Sequence, residues 1–288
     1  MKEKSYLLEF ITPAFLAGAD QGCAELRAPS VRGALRWWFR ALGGTREEEA
    51  EVFGGVHGGA KRSKVIIRVE IDRKGEAWTP PQIAVGDAAA YVWHFARESS
   101  EKSRWSSDGV LSPGTKWKLI VLWQGESTDA ARKKFDNALK CFLVLGSLGL
   151  RVTRGLGAFV LKDASCTFED VRKILIGANF SIEVKNTSQR TFASTIGSLV
   201  KGTRKEYGWR NDCKNKSYTP SPMGTPSPRQ TSAIHFRPIA LDSGVWQLVV
   251  FSPPYERVLG EESRRDKRKI VGVQPSALVA AEFGARRF

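Results

Sequence analysis

The amino-acid sequence predicts an α+β fold of two tandem ferredoxin-like (RRM-like) domains, with a glycine-rich loop at the end of the first. Each half of the chain shows the order strand, helix, strands, helix and strand, which is that of the ferredoxin-like motif. The 288 residues are enough for two domains, and a hydrophobic fraction of 42% with nine tryptophans can fill two cores. We place the domains at residues 1–160 and 161–288.

The chain carries a large positive charge, because 45 lysines and arginines outnumber 30 aspartates and glutamates, for a net charge of +15. Such an excess suits a polyanionic partner, either a nucleic acid or an anionic membrane surface. No apolar run approaches the roughly 18 residues that span a bilayer, and the first residues show no signal-peptide pattern, so we expect no membrane partner. Four scattered cysteines without a C-x-x-C pair indicate thiols of a reducing cytoplasm, and we expect no metal site and no cofactor.

The first predicted elements are a short strand, Leu7 to Ile11, and a helix that follows a turn-rich loop, Thr12 to Pro29. Ser30 has the side chain of a good N-cap, so the helix is expected to begin near Val31. Gly43 is expected to end it. A broad apolar arc at the helical period indicates the buried face, which holds Val31, Ala34, Leu35, Trp38, Phe39 and Leu42.

Three arginines spaced four residues apart, Arg32, Arg36 and Arg40, form a basic stripe on the opposite side of this helix. Guanidiniums in such a row are able to follow a phosphate backbone, although arginines on a solvated helix face also simply keep a protein soluble. No carboxylate lies three or four residues from Arg32 or Arg36 within the helix, so an intrahelical salt-bridge ladder is not the evident explanation. This absence favours an anionic ligand or an acidic partner.

A glycine-rich basic loop lies between Phe53 and the next predicted strand, Val65 to Ile71. Lys61 and Arg62 stand beside several glycines, which is a composition typical of a phosphate-binding loop. The spacing fails the Walker pattern, because Ala60 stands where the lysine should follow the glycine, and nucleotide hydrolysis is therefore rejected. Contact with RNA and simple solvation both remain interpretations of this mobile basic loop.

A second glycine-rich stretch, Leu145 to Phe159, follows a predicted strand, Trp117 to Trp123, and a predicted helix. Its glycines permit positive φ and close backbone approach, so exposed amides together with Arg151 and Arg154 are able to clasp a phosphate. A dinucleotide fingerprint fails, because Val160 occupies the place of the third glycine. A tight turn is the alternative explanation.

The second half is expected to contain a helix at 168–176, a strand at 180–184, a helix after Ser188 and paired strands at 234–241 and 245–251. A basic segment with interspersed aromatic residues leaves the second helix. This mixture suits base stacking beside phosphate contact, and a solvated loop is the alternative. The cations of the segment are Lys201, Arg204, Lys205, Arg210, Lys214 and Lys216.

Three sets of residues stand out as motifs: Thr12–Asp20 together with Ser30–Trp38, the pair Phe53–Gly54 before a strand, and the loop Gly146–Gly157. Together they closely resemble the RAMP superfamily of CRISPR proteins. More narrowly, they are similar to the first-numbered subunits of the type III-B (Cmr) RNA-silencing effector. The resemblance implies tandem ferredoxin-like domains, with the glycine-rich loop at an RNA-facing surface near the 3′ end of the guide RNA.

The resemblance also implies a non-catalytic RNA-binding subunit in antiviral defence. Its partners would be guide RNA, target single-stranded RNA and the other Cmr subunits. Position by position, the resemblance points to Arg32, Arg36, Arg151, Arg154 and Gly155. With the cations that the charge argument adds, the complete set of predicted RNA-binding residues is Arg32, Arg36, Arg40, Lys61, Arg62, Arg151, Arg154, Gly155, Arg204, Lys205 and Arg210.

Two other functions stay open. Some RAMP relatives process guide RNA by metal-independent acid–base chemistry, which would need a positioned histidine. The chain offers His57, His94 and His235, none with an evident partner in the sequence. A pure assembly scaffold would instead present its positive face to acidic protein neighbours, with Trp37 and Trp38 as interface anchors.

Overall fold

The computed structural model describes residues 2–206 and 225–257, apart from residues 21, 57–58, 85, 94–95, 97–106, 164, 227–228, 231, 242–243 and 255–256. The chain divides into two compact units. The first comprises residues 1–79, 104–152 and 156–174, and the second comprises residues 80–103, 153–155 and 175–288. The sequence places a single boundary after residue 160, whereas these units interleave along the chain.

Both units combine helices with antiparallel sheets. The strands of the described residues are β1 (Lys2–Phe10), β2 (Val65–Arg73), β3 (Lys116–Trp123), β4 (Phe159–Leu161), β5 (Ser181–Thr187), β6 (Thr225–Pro226), β7 (Arg229–Gln230), β8 (His235–Ala240) and β9 (Trp246–Ser252). The helices are α1 (Ala28–Ala41), α2 (Arg46–Phe53), α3 (Ala90–Trp93), α4 (Asp129–Leu145), α5 (Phe168–Gly177) and α6 (Phe192–Glu206).

In the first unit, four strands form an antiparallel sheet in the order β2-β3-β1-β4. Along the chain the main elements are β1, α1, β2, β3, α4 and β4, with α2 inserted ahead of β2. This unit therefore has the succession strand, helix, strand, strand, helix, strand. The α+β class that the sequence predicts is confirmed.

An aromatic cluster on the helix-covered face of this sheet fixes the position of α4. Phe10 and Trp117 stack with their ring centroids 5.7 Å apart, and Phe159 meets Trp117 edge-to-face at 5.3 Å. From α4, Phe142 packs on Phe159 at 5.2 Å. All four side chains are buried, and such aromatic contacts contribute beyond the area they bury.

Helix α1 buries the face that its periodicity predicts. Val31, Leu35 and Phe39 are completely buried. The predicted start of this helix is wrong by about one turn, because Arg27 is the N-cap and Ser30 lies within the first turn. Pro29 explains the difference, since proline is well tolerated in the first turn, where its missing N–H leaves no partner unsatisfied.

In the second unit, β5, β9 and β8 form an antiparallel sheet in that order, and α6 packs on α3. The helix contact is close near Gly197, where a Cβ would lie 1.9 Å from the carbonyl oxygen of Ala88. The predicted strands at 180–184, 234–241 and 245–251 correspond to these three observed strands. A second ferredoxin-like domain stays a prediction. Within the described residues, no helix is both long and apolar enough to cross a membrane.

Candidate nucleic-acid interface

The glycine-rich loop is attached to the segment that follows β1. The amide of Gly157 donates to the Pro13 carbonyl at 2.9 Å, and the amide of Ala158 donates to the Thr12 hydroxyl at 2.9 Å. Across the loop, the Leu148 amide donates to the Gly157 carbonyl at 3.0 Å. Two of the three sequence motifs are therefore neighbours in the first unit.

Two of the loop glycines are required by close backbone contacts. Gly157 has φ +64, and a Cβ there would lie 1.8 Å from the Leu148 carbonyl oxygen. Gly149 has φ +99, and a Cβ there would lie 2.5 Å from the Phe15 carbonyl oxygen. The Leu150 amide also donates to that carbonyl of Phe15, at 3.0 Å. At these positions the loop uses glycine and amides for internal packing, whereas the sequence predicts amides exposed to a phosphate.

Arg154, which the sequence predicts to contact RNA, lies in the interior of the second unit with only 5% of its surface exposed. Its guanidinium donates to the Tyr91 hydroxyl at 3.1 Å, and to the Ser232 hydroxyl and the Ile234 carbonyl, both at 3.2 Å. It also lies over the ring of Phe236, 5.6 Å from its centroid. These contacts replace the hydration of the charge, so the predicted outward orientation of Arg154 is wrong.

Gly155 is also buried, although the sequence predicts RNA contact at this position. It has φ +83, and a Cβ would lie 2.9 Å from Ile196. Solvent does reach the other end of the loop, where Leu150 is 49% exposed and Arg151 is half-buried. Arg151 has φ +55, a region that non-glycine residues seldom occupy. Of the two loop arginines, Arg151 is the one at the surface.

The arginine stripe of α1 is paired with a carboxylate from α2. Arg36 Nε donates to Glu49 Oε1 at 2.5 Å, and Arg40 donates to the same oxygen at 2.9 Å. The Glu49 side chain is only 7% exposed, whereas those of Arg36 and Arg40 are 42% and 45% exposed. The sequence reveals no partner because Glu49 lies nine and thirteen residues away, on another helix. A guanidinium has five N–H donors, so both arginines keep donors that face solvent.

Arg32, the first member of the stripe, binds backbone instead. Its guanidinium donates to the Phe53 carbonyl at the end of α2. It also donates to the Val65 carbonyl at the start of β2, at a distance of 3.3 Å. These carbonyls flank the basic loop on both sides. Burial lowers the pKa of Arg32, and the nearby charge of Arg36 lowers it further. Arg32 therefore braces the base of the loop and has fewer donors left for a phosphate than the sequence implies.

The basic loop between α2 and β2 closes on itself through Gly55 and Lys61, whose amides and carbonyls exchange hydrogen bonds of 3.1 and 2.8 Å. Lys61 and Arg62 are exposed there. The pKa of Glu47 in α2 is lowered first by hydrogen bonds from its own amide and from Thr45, and further by charges that include Lys61. Lys61 thus lies near Glu47 of α2, and Arg62 donates to the Gln124 side chain at 3.3 Å. We call Arg36, Arg40, Lys61 and Arg62 the helix-pair surface.

Two more carboxylates of α2, those of Glu48 and Glu51, are engaged by cations and donors of the first unit. Glu48 accepts from Lys134 of α4 at 2.6 Å. Glu51 accepts from the Thr128 amide at 2.7 Å and forms an ion pair with Lys64 at 3.7 Å. Glu48 and Glu51 are therefore bound by groups outside the helix-pair surface. Its four cations face two carboxylates, Glu49 and the exposed Glu47, so its net charge stays positive.

The sheet anchor of the arginine stripe, where Arg32 binds Val65, and that of the glycine-rich loop lie at opposite corners of the sheet. Val65 of β2, whose carbonyl Arg32 binds, is at the same level of the sheet as Lys2 of β1, with β3 between them. At the other end of β1, Phe10 pairs with Phe159 of β4. The eight steps along β1 span roughly 26 Å, and three strand spacings add roughly 14 Å across, so the corners lie roughly 30 Å apart. The arginine stripe of α1 and the glycine-rich loop are therefore attached to the sheet at separate corners and do not converge at one point.

The other predicted RNA-binding residues and two of the histidines are not located by the structure. Arg204 and Lys205 belong to the last turn of α6, without described side chains, and Arg210, His57 and His94 lie outside the described residues. His235 in β8 stacks on Phe251 with ring centroids 5.0 Å apart. Burial, with a smaller effect of the Arg154 charge, lowers the pKa of His235 to about 3.

Comparison with known proteins supports a CRISPR relationship. Residues 7–160, more than half of the chain, match the RAMP superfamily model. A CRISPR system Cmr subunit of Pyrococcus furiosus, Cmr1-2, is 29% identical over 181 residues, which cover 55% of this chain and 94% of that protein.

Two solved structures share the fold. The crystal structure of Cmr1 from Pyrococcus furiosus in its apo form has a TM-score of 0.58 at 18% identity, covering 88% of both chains. A chain of the type III-B Cmr-beta complex bound to cognate target RNA has a TM-score of 0.55 at 12% identity, covering 86% of this chain and 94% of that one. At these identities the likeness concerns the fold alone.

Proposed function

Since this chain belongs to the RAMP superfamily and is a Cmr-type subunit by its relatives, we propose that it is a non-catalytic RNA-binding subunit of a type III-B CRISPR effector complex. In this proposal it contacts guide RNA, target RNA or both near the 3′ end of the guide, in the cytoplasm and beside other Cmr subunits. The observation that carries the proposal is the helix-pair surface. One structural neighbour belongs to a complex bound to target RNA, which supports the same class of partner.

The helix-pair surface has the chemistry of a site that binds an RNA backbone. Arg36 and Arg40 of α1 present half-exposed guanidiniums, and Lys61 and Arg62 add exposed charge in the loop that follows α2. Guanidinium matches the geometry of phosphate oxygens, and such contacts position a nucleic acid without reading its bases. We therefore propose that the subunit binds RNA with little sequence preference of its own.

The second unit supports the prediction of two tandem ferredoxin-like domains. The chain order of its elements is β5, α6, β8 and β9, and the order within the sheet is β5-β9-β8. Strand, helix, strand and strand form the first two-thirds of a ferredoxin-like motif. We propose that this unit is the second ferredoxin-like domain.

Arguments against catalysis come from the histidine that the structure describes. A general base works best with a pKa near the operating pH. The pKa of His235 lies far below neutrality, and its Nε2 atom is buried. This environment favours a packed histidine in the sheet of the second unit, and it argues against His235 as the general base of an endoribonuclease.

The proposal is tested by mixing the purified chain with a fluorescein-labelled single-stranded RNA in EDTA, and recording both anisotropy and RNA length. We expect saturable binding that weakens as salt rises, with the RNA intact. Cleavage that His57→Ala abolishes would identify an endoribonuclease. If the purified chain shows no RNA affinity, and the complex fails to assemble when the chain is left out, the chain is a scaffold.

A further inference from the structure

We propose that Glu49 is a positioning residue of the RNA-binding surface, which holds Arg36 and Arg40 side by side so that both guanidiniums meet the phosphates of one RNA strand. This inference rests on the proposed function. It assigns to a buried carboxylate a part in binding a polyanion, which charge alone would not suggest. The two arginines bind one oxygen of Glu49, at 2.5 and 2.9 Å.

The carboxylate of Glu49 has a fixed position because α2 is anchored at several points. The Thr45 side chain and Glu48 form a complete capping box at the N-terminus of α2. Glu48 is bound to Lys134 of α4, and Glu51 is bound to the amide of Thr128, the N-cap of α4, so acids on either side of Glu49 tie α2 to α4. A side chain that is 7% exposed on such a helix has little freedom to follow its partners.

Arg36 and Arg40 need a shared carboxylate to keep their guanidiniums side by side. Like charges four residues apart on a helix repel each other, and Arg36 already lies close enough to Arg32 to lower the pKa of Arg32. One shared carboxylate offsets that repulsion and restricts two long side chains before RNA arrives. The ordering that binding would otherwise impose on them is thereby reduced.

The geometry suits an RNA backbone. Positions 36 and 40 are separated by about 6 Å along the helix axis, a distance of the order of that between consecutive phosphates of one strand. The arginines use Nε and one terminal nitrogen for Glu49, and they remain 42% and 45% exposed. Donors on both guanidiniums are therefore left for phosphate oxygens.

The sign of one substitution separates positioning from simple charge. Glu49→Gln makes the protein one charge more positive, so RNA affinity would rise if Glu49 acted only by its charge. If Glu49 positions the two arginines, the same substitution releases them and RNA affinity falls. We expect a dissociation constant about 3- to 10-fold higher, from the cost of ordering one or two freed side chains.

Glu47→Gln is the matched control, because it makes the same charge change on the same helix at an exposed carboxylate that is not among the contacts tying α2 to α4. Dissociation constants of the wild type and both variants for a single-stranded RNA are measured by anisotropy, with thermal denaturation as a check on folding. We expect Glu47→Gln to bind RNA as tightly as the wild type or more tightly. Equal or tighter binding by Glu49→Gln overturns the inference.

Two further variants cover the other outcomes. If Glu49→Gln does not fold, Glu49→Asp keeps the charge but withdraws the carboxylate by one methylene, and unchanged affinity in that variant overturns the inference.

The double variant Arg36→Ala with Arg40→Ala tests the surface itself. If it binds RNA normally but no longer joins the complex, the ligand is an acidic protein partner, and both the inference and the RNA role of this surface are overturned. If it weakens RNA binding while Glu49→Gln does not, only the inference fails.

Discussion

At the scale of single residues, identical side chains have opposite roles that the sequence cannot distinguish. Arg154 and Arg151 lie three residues apart in one glycine-rich stretch, yet Arg154 is buried and Arg151 is at the surface. The partners of Arg154 are Tyr91, Ser232 and Ile234, which are 63, 78 and 80 residues away in the sequence. No local pattern contains that information, and the predicted outward orientation of Arg154 is wrong.

Arg154→Met should therefore reduce stability and leave RNA binding unchanged. The substitution keeps a long apolar stem but removes hydrogen bonds to the Ile234 carbonyl and the Tyr91 hydroxyl, which then lie without this donor. Lost bonds to a charged group typically cost about 1.5–3 kcal/mol each in context, so we expect a loss of roughly 2–4 kcal/mol in the free energy of unfolding. Urea denaturation followed by circular dichroism measures it. Normal stability combined with weakened RNA binding would contradict this assignment.

At the scale of elements, patterns that repeat along the chain are predictable and contacts between elements are not. The apolar periodicity of α1 predicts its buried residues Val31, Leu35 and Phe39. The same sequence gives no sign that Glu49 of α2 pairs with the basic face of α1. Short local signals are also weaker guides, since Ser30 suggests a cap that the structure places at Arg27.

The glycine-rich loop permits a test of the role of its glycines. Gly157→Ala places a methyl group against the Leu148 carbonyl at a backbone angle of φ +64, so we expect a loss of at least about 1–3 kcal/mol in the free energy of unfolding. Gly33→Ala is the matched control, because Gly33 lies in α1 with nothing within 4 Å of an added Cβ.

The control should gain about 0.4–1 kcal/mol, since alanine restricts the unfolded chain and favours the helix. Both free energies are obtained from urea denaturation under identical conditions. A stable Gly157→Ala protein would show that the loop relaxes easily. In that case its glycines would be available for a role at the surface.

At the scale of the whole molecule, composition predicts the class of partner and the fold decides where the charge is presented. A net charge of +15 is by itself enough to indicate a polyanionic partner. The strand order β2-β3-β1-β4 then places the anchor of the arginine stripe and that of the glycine-rich loop at diagonal corners. That separation depends on sheet topology and register, which the linear spacing of arginines and glycines does not contain.

The most direct test of the RNA-binding surface is the salt dependence of RNA affinity in two variants of equal charge. Arg36→Ala with Arg40→Ala removes two cations from the helix-pair surface. Arg172→Ala with Lys173→Ala removes two exposed cations from α5. For single-stranded RNA, each lost phosphate contact should flatten the plot of log K against log salt by about 0.7, so the first variant should lose about 1.4 and the second nothing. Equal slopes in the two variants would contradict the account.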